Sequence, residues 1–271
     1  MWRPRSRLPA SAVRSDGSFT LAPPLLQTLA GGALADGTHA LHLEATDKAG
    51  DLSRLDLSFI RDTTAATMSG RLAHDTGASG SDGLTKNPEV AGTVADANGI
   101  AKFSGTLNRG ASRAVTSVLQ PDGSFTLTPA LLKTLAGGAL RDGAHTLHLV
   151  ATDKAGNTSS LDLSFVLDTK IAPPSFDITP ASDSRKKRNH ATTVIPVALQ
   201  GSTDPNAQVT LVGKGLIADP AGDFRFDNVR LLALGDNNFT AQATDAAGNQ
   251  SSYALTIALD KSHAAWPTPT A

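Results

Sequence analysis

The sequence predicts an all-β protein built from tandem β-sandwiches. Three observations support this fold class: a long internal repeat, apolar and polar residues that alternate with a period of two, and turn residues about every ten positions. Successive side chains of a strand point to opposite faces, so this alternation is typical of strands that bury one face.

The repeat is the clearest feature of the chain. A segment that begins at Asp16 (DGSFTLAPPLLQTLAGGALADGTHALHLEATDKAG) returns 106 residues later at Asp122 (DGSFTLTPALLKTLAGGALRDGAHTLHLVATDKAG). The same offset relates Asp62 to Asp168, and a diverged third copy closes at Asp260. This period is longer than the roughly 20 to 50 residues of a solenoid unit and matches a whole small domain.

The repeats divide the chain into three successive units and a tail. We predict a truncated repeat, its C-terminal part only, at residues 1–61, a complete repeat at 62–168, a diverged repeat at 169–260 and a tail at 261–271. Because the first unit has no counterpart of residues 65–105, we expect it to leave an apolar face open. We interpret this as a gene fragment, a misassigned start or a cut from a longer array.

The individual strands follow from the alternation. In the middle unit Leu147, Leu149 and Ala151 share one face of a strand. The same pattern predicts strands at Leu161–Leu167 and Tyr253–Leu259. Shorter strands are predicted near Val90–Val94, Ala101–Leu107, Val115–Leu119 and Phe125–Leu127.

One segment interrupts the strand pattern. The residues from Pro129 to Ala136 predict two helical turns that end at Gly137, and a twin segment begins at Pro24. We expect this short helix to cross between the two sheets of the sandwich. A packed loop is the alternative interpretation.

The composition excludes several classes of protein. The chain has no cysteine, which rules out disulfides, thiolate zinc sites and cysteine nucleophiles. Its net charge of −1 provides no basic field for nucleic acid, so no nucleic-acid partner is expected. No apolar run is long enough for a transmembrane helix, and no apolar stretch follows the basic start, so any export signal is expected elsewhere or missing.

The ends of the repeats carry a family resemblance. The segments ATDKAGNTSSLDLSFVLDT and ATDAAGNQSSYALTIALD, and the opening HDTGASGSDGLTKNPEVAGTV, resemble bacterial Ig-like repeats of large surface and biofilm adhesins. The resemblance implies tandem immunoglobulin-like β-sandwiches, the first one truncated, in a rod that is often stiffened by calcium at its junctions. The chain departs from the family where Ser182–His190, which includes Arg185–Arg188, replaces a turn rich in glycine and aspartate, and where the linker after Asp62 lacks proline.

Calcium is the one cofactor that the resemblance implies. It prefers about six to eight oxygen ligands, and no single loop here supplies them. The topology of a sandwich brings several aspartates to the junction of the second and third units, and Asn249 faces the same junction. The predicted metal ligands are Asp75, Asp82, Asp142, Asp168 and Asp245. Alternatively, each aspartate only caps its own turn. A site near Asp62 is less expected, because the first unit lacks counterparts of Asp75 and Asp82.

The other candidate polar residues are expected to have structural or surface roles. His145 and His148 repeat His39 and His42, and residues three apart on a strand face opposite sides, so one strand cannot offer both to one metal. We expect them at the surface or at strand ends. Arg185–Arg188 is interpreted as a solvated loop tip, with polyanion binding or processing as alternatives.

The sequence therefore predicts a non-catalytic protein without site residues for catalysis or for an organic cofactor. We predict a structural spacer and adhesion module of a repetitive bacterial cell-surface or secreted protein, with neighbouring Ig-like repeats as its first partners. Surface receptors or glycans of a host or biofilm are further candidate partners. A glycan- or protein-binding module is the alternative, and an enzyme is the least favoured.

Overall fold

Residues 13–61 form one helix and one hairpin in the computed structural model, which describes residues 13–184 and 190–260. Helix α1 (Pro23–Ala30) begins with proline in its first turn and ends at Gly31, whose φ of 78° is the left-handed conformation that suits glycine. Strands β1 (Gly37–Thr46) and β2 (Leu52–Arg61) pair antiparallel as a two-stranded sheet.

The middle repeat is a sandwich of two sheets. One sheet has three strands in the order β3-β5-β8, and the other has five in the order β4-β10-β9-β6-β7. Its strands are β3 (Thr67–Leu72), β4 (Leu84–Thr85), β5 (Val90–Ala95), β6 (Ile100–Leu107), β7 (Arg113–Ala114), β8 (Ser124–Leu127), β9 (Gly143–Asp153) and β10 (Thr158–Leu167). Helix α2 (Pro129–Ala136) lies between β8 and β9 in the chain, as predicted.

The third repeat has the same plan without the helix. Its sheets have the orders β11-β13-β16 and β12-β18-β17-β14-β15, and β12 pairs parallel with β18 as β4 does with β10. The strands are β11 (Ser175–Ile178), β12 (Ala191–Thr192), β13 (Val197–Ser202), β14 (Gln208–Leu211), β15 (Lys214–Ile217), β16 (Asp223–Val229), β17 (Gly235–Thr244) and β18 (Gln250–Leu259). The predicted fold class, an all-β chain of tandem sandwiches with a truncated first one, is confirmed.

Contacts between residues group the described chain into two compact units. One comprises residues 13–67, 95–102 and 151–159; the other comprises 68–94, 103–150, 160–184 and 190–260. The division follows contacts and not the repeat, so the domain boundaries at residues 61, 168 and 260 stay a prediction. The tail at 261–271 and the basic Arg185–Arg188 lie outside the described residues.

The cores follow the predicted alternation. On β9, Leu147, Leu149 and Ala151 are fully buried, and the residues between them are half-buried or exposed. On β18, Ile257 and Leu259 are buried in the same way. Burial of apolar surface contributes roughly 25 cal/mol per Å², so these inward faces supply most of the free energy that holds each sandwich together.

The predicted strand at Val115–Leu119 is wrong. Residues Thr116–Val118 form a turn of 3-10 helix instead. The Thr116 hydroxyl accepts a hydrogen bond from the Phe103 amide at 2.9 Å and donates to the Phe103 carbonyl at 3.2 Å. The Thr116 side chain thereby makes hydrogen bonds to the Phe103 backbone that a neighbouring strand could make. The apolar periodicity predicted a strand here because it does not register this one polar residue.

The open apolar face expected in the first repeat is present. Phe19 is 42% exposed, whereas its repeat partner Phe125 is 2% exposed. Leu41 and Leu43 on β1 are half-buried, whereas their partners Leu147 and Leu149 are fully buried. Among the described residues, the first repeat therefore keeps the helix and the last hairpin of the middle repeat, and its apolar side chains are less buried than their counterparts.

This difference predicts unequal costs for one substitution at paired positions. We expect Leu149→Ala to lower the free energy of opening of residues 143–167 by about 2–5 kcal/mol, because it leaves a cavity in a filled core. Leu43→Ala should lower the free energy of opening of residues 37–61 by less than half as much, because the side chains around Leu43 are already exposed to water. Native-state hydrogen exchange on both variants measures the two losses, and equal losses would contradict the assignment of an open face.

Candidate functional site at the repeat linkers

Three aspartates form an acidic group in the compact unit of residues 13–67, 95–102 and 151–159. Asp62 follows β2, Asp96 follows β5, and Asp153 ends β9. Each offers one carboxylate oxygen, and these oxygens all lie within 4.8 Å of one another. Asp62 and Asp96 are half-buried and Asp153 is 1% exposed. The tandem repeat produces this arrangement, because the end of one repeat runs beside two loops of the next.

Side-chain amides hold the acidic group in place. Asn157 Nδ2 donates to the Asp153 carboxylate at 2.8 Å and to the backbone carbonyls of Asp62 and Thr64 at 3.2 and 3.4 Å. Asn98 Nδ2 donates to Asp62 Oδ2 at 2.7 Å. The backbone amide of Asn98 donates to Asp96 Oδ1 at 2.8 Å. The linker after β2 is thus fastened to both loops through hydrogen bonds to its backbone and its aspartate.

The charge of Asp153 is stabilised although the residue is buried. Burial raises the pKa of the carboxyl, but hydrogen bonds from the Asn157 side chain and from the backbone amides of residues 155–157 outweigh that effect. The net pKa of Asp153 is lowered from its ordinary value of 3.8. At neutral pH the group therefore carries negative charge, and the described part of the chain gives none of the three aspartates a salt bridge to Lys, Arg or His.

The second linker repeats the asparagine contacts. Asn249 Nδ2 donates to the Asp245 carboxylate at 2.8 Å and to the backbone carbonyls of Asp168 and Lys170 at 3.0 and 3.5 Å. The loop between β13 and β14 supplies Asp204, the counterpart of Asp96. Asp204 Oδ2 accepts instead from the Ala172 amide of the linker at 3.0 Å. The asparagine contact is thus common to both linkers, whereas Asp204 and its counterpart Asp96 have different hydrogen-bond partners.

The five predicted metal ligands each accept a hydrogen bond from nearby backbone. Asp75 accepts from the Gly83 amide, Asp82 from Leu84, Asp142 from Thr169, Asp168 from Lys170 and Asp245 from Asn249, at 2.8–3.2 Å. One oxygen of Asp75 is buried and has no hydrogen-bond partner. Within the described ranges the five do not form a group of carboxylates like that of Asp62, so their metal role stays a prediction.

The sequence interpretation missed Asp96 and Asp153. It discounted Asp62 because the first repeat lacks counterparts of Asp75 and Asp82. The structure builds the acidic group from two other loops, which belong to the following repeat. The sequence did contain a signal for Asp153, because this residue lies in the repeated ATDxAG motif and aligns with Asp245, one of the predicted metal ligands.

A further aspartate fastens each linker to the loop before a strand. Asp36, before β1, accepts from the Thr63 amide at 3.1 Å and from the Thr63 and Thr64 hydroxyls at 2.8 and 3.2 Å. Its counterpart Asp142 accepts from the amide and hydroxyl of Thr169 at 3.1 and 2.8 Å. The hydroxyl of Thr63, followed by its amide, lowers the pKa of Asp36 from 3.8.

The histidines lie on opposite faces, as expected, but one is not at the surface. His148 is exposed and contacts Asp162 across the sheet at 2.6 Å. His145 is 7% exposed, so the expected surface position is wrong, although the residue does lie near the start of β9. Its Nδ1 accepts from Asn108 Nδ2 and its Nε2 donates to the Arg141 carbonyl, both at 2.8 Å, so both ring nitrogens are satisfied in the neutral form.

Comparison with known proteins finds a family similarity in the middle repeat. Residues 64–169 match the family model described as bacterial Ig-like domain. The match covers less than half of the chain. No curated protein matches the chain. No helix of the described residues has the length and apolar character that crossing a bilayer requires.

Several solved adhesin structures are similar to the chain at low identity. A tetra-tandem repeat from the extending region of a large adhesion protein is 22% identical, with a TM-score of 0.31, over 92% of this chain and 62% of that one. A Ca²⁺-stabilized adhesin of an Antarctic bacterium that binds ice is 18% identical, with a TM-score of 0.33, over 82% and 56%. A 1.5-MDa bacterial ice-binding adhesin is 19% identical, with a TM-score of 0.35, over 83% and 76%. The chain thus spans 62% and 56% of the length of the first two.

The asparagine contact predicts a local effect of substitution. Asn157→Ala removes three hydrogen bonds and leaves a buried carboxylate and two carbonyls short of a donor, so we expect residues 151–159 to open more easily by about 1–3 kcal/mol. Hydrogen exchange of residues 62–64 and 151–159 measures the loss. Asn249→Ala should do the same at the second linker and leave the first unchanged. An effect spread evenly over the chain would contradict a linker role.

The lowered pKa of Asp36 predicts a pH dependence with a definite sign. The folded chain binds the Asp36 proton less tightly than the unfolded chain, so ionised Asp36 stabilises the fold above the ordinary pKa of 3.8. That contribution disappears as the pH falls through the lower folded pKa. Thermal unfolding should therefore show a gap between the native chain and Asp36→Asn at about pH 6 that closes near about pH 2. A gap that persists in acid would contradict the assignment.

Proposed function

We propose that the chain is a structural spacer and adhesion module of a repetitive bacterial cell-surface or secreted protein. The observation that carries this proposal is the repeated linker contact, in which Asn157 and Asn249 each bind the carbonyls of a linker and the aspartate of their own loop. In a spacer the linkers must be held to the adjoining loops. The same asparagine hydrogen bonds occur at both linkers of this chain. The match of the middle repeat to bacterial Ig-like domains supports the same role.

The proposed location and partners follow from this role. A spacer module acts outside the cell, where it holds a binding domain at a distance from the surface or links cells in a biofilm. Neighbouring Ig-like repeats are its first partners, and receptors or glycans of a host or biofilm are partners of the assembled protein. We propose no catalytic step, because the near-identical segments supply sandwich cores and linkers.

We further propose that calcium stiffens the linkers, first at Asp62, Asp96 and Asp153. Three carboxylates within 4.8 Å repel one another, and a hard divalent cation relieves that repulsion. Their oxygens are the ligand type that calcium prefers, and water would complete the coordination. The predicted group of Asp75, Asp82, Asp142, Asp168 and Asp245 is the second candidate, at the other linker.

A replacement experiment tests the spacer role. The chain is placed between a cell-surface anchor and a known binding tip, and residues 62–260 are exchanged for unrelated sandwiches of equal length. A spacer should keep cell adhesion after the exchange, whereas deletion without replacement should reduce it. Loss of adhesion after an equal-length exchange would overturn the spacer role and favour a glycan- or protein-binding module.

Calcium should stabilise the first linker selectively. At about 1 mM calcium we expect slower hydrogen exchange in residues 62–64, 96–99 and 151–159 and a higher melting temperature, because a ligand that binds only the folded state stabilises it. Asp96→Asn should abolish the protection, and Asp204→Asn serves as the matched control in the third repeat. Magnesium at the same concentration tests selectivity. Equal exchange in calcium and in chelator would remove the calcium proposal and leave the spacer proposal standing.

A further inference from the structure

A loop of the middle repeat contacts a turn of the third repeat directly. The loop, residues 75–86, lies between β3 and β5 and includes β4, and the turn, residues 246–248, lies between β17 and β18. Both segments belong to the same compact unit of the chain. We call residues 75–86 the docking loop and residues 246–248 the acceptor turn.

Two side chains of the docking loop donate hydrogen bonds to backbone carbonyls of the acceptor turn. The Thr76 hydroxyl donates to the Ala247 carbonyl at 2.5 Å. The Lys86 ammonium donates to the Gly248 carbonyl, also at 2.5 Å. Hydrogen bonds from a charged donor are stronger than neutral ones. Lys86 thus brings a positive charge of the protein itself to an oxygen of the type that a hard cation also binds.

Two glycines allow the two backbones to approach this closely. A Cβ at Gly77 would clash with the carbonyl oxygen of Ala246, and one at Gly248 would lie 3.0 Å from the Gly77 amide nitrogen. Both glycines also have a positive φ, 103° and 84°. Every other residue type carries a Cβ, so only glycine fits at position 77 while the two segments stay in contact.

The same turn motif occurs in the middle repeat and serves as an internal comparison. Residues 153–157 and 245–249 share their local hydrogen bonding, since in each the aspartate carboxylate accepts from the asparagine amide, at 2.9 and 2.8 Å. Ala247 is fully buried, whereas its counterpart Ala155 is exposed. A Cβ at Gly156 would meet no described residue within 4 Å. The motif by itself therefore leaves its alanine exposed, and the turn that meets the docking loop has it buried.

The docking loop is ordered by hydrogen bonds within its own repeat. Thr85 is fully buried, and its hydroxyl donates to the His74 carbonyl at 2.7 Å and accepts from the Asn87 amide at 3.0 Å. The Thr76 hydroxyl accepts from the Lys86 amide at 2.9 Å while it donates to the acceptor turn. These bonds position both donors, which lowers the entropic cost of docking.

The third repeat has a counterpart of this loop. Its Thr193 amide donates to the Ser184 hydroxyl at 2.7 Å, as the Lys86 amide donates to Thr76. Threonine thus replaces the docking lysine, and Arg185 follows the serine where glycine follows Thr76. The hydrogen-bonded framework is repeated, whereas the lysine and the glycine are not, so these two residues serve the contact and not the loop.

We propose that Thr76, Gly77 and Lys86 form a coupling site that holds the middle repeat against the acceptor turn without a metal ion. The partner that this site fits is the Ala-Gly turn of an ATDxAGN motif in the following repeat. Lysine supplies the charge, threonine supplies the second donor, and glycine leaves the space for two backbones in contact. The coupling site rests on these contacts and not on the spacer role.

The first test is amide exchange of the acceptor turn in the presence of a calcium chelator. Residues 245–249 should exchange about tenfold or more slowly than residues 153–157, since exchange follows the free energy of local opening. Gly77→Ala should remove that difference, because its Cβ cannot fit against the acceptor turn. Gly83→Ala is the matched control. It lies in the same loop and also has a positive φ, 74°, but its Cβ would meet only the middle repeat, with Ser164 at 3.6 Å.

The second test measures how firmly the two repeats are joined. Because the chain has no cysteine, spin labels on Thr126→Cys and Lys214→Cys, both at exposed positions, report the distance between the middle and third repeats. We expect a narrow distance distribution in chelator. Lys86→Met keeps the length of the side chain but removes the charged donor, so it should broaden the distribution by about twofold or more.

Three results would overturn the coupling site. The first is equal exchange of the two motifs in chelator, and the second is an equal effect of Gly77→Ala and Gly83→Ala. The third is a distance distribution that narrows only when calcium is added, because a cation and not Lys86 would then hold the junction. None of these results bears on the spacer role, which the equal-length exchange tests separately.

Discussion

The structure depends on one constraint, which is that a sheet with an apolar face needs a second sheet to cover it. The middle repeat meets this constraint with residues 67–108, and Leu147, Leu149 and Phe103 are fully buried. The third repeat meets it with a core that includes Leu199, Val209 and Ile257. Among the described residues, the first repeat carries Leu41 and Leu43 at the matching positions, and both are only half-buried, so its hairpin gains less of the burial that stabilises the other two.

The linkers add a polar layer to this apolar frame. In both, an asparagine that follows the ATD motif reaches back to the carbonyls of the residues between repeats. Buried carbonyls need donors, and the two N–H groups of the asparagine amide are shared among its own aspartate and the linker carbonyls. The same asparagine amide thus stabilises its own loop and orders the linker. The lowered pKa of Asp153 has the same origin, since the donors that order the loop also stabilise its charge.

The two linkers are alike in hydrogen bonding and different in charge. At the first, Asp96 turns toward Asp62 and Asp153, and the three form an acidic group. At the second, Asp204 accepts from the Ala172 amide, in a linker that carries Pro173 where the first has Thr67. The aspartate that follows the corresponding strand thus accepts from a linker amide in one repeat and joins an acidic group in the other.

The sequence by itself determined the repeat, the strands with strict alternation and the two short helices, because period and glycine or proline placement are local properties. It also identified Asp62 as the end of a repeat and Asn249 as a linker-facing residue. Only the tertiary structure decided the rest. The turn at Thr116–Val118 depends on a hydroxyl that finds the backbone of Phe103, and the burial of His145 depends on Asn108. The acidic group joins residues from three loops, and such proximity is a property of packing that no single segment encodes.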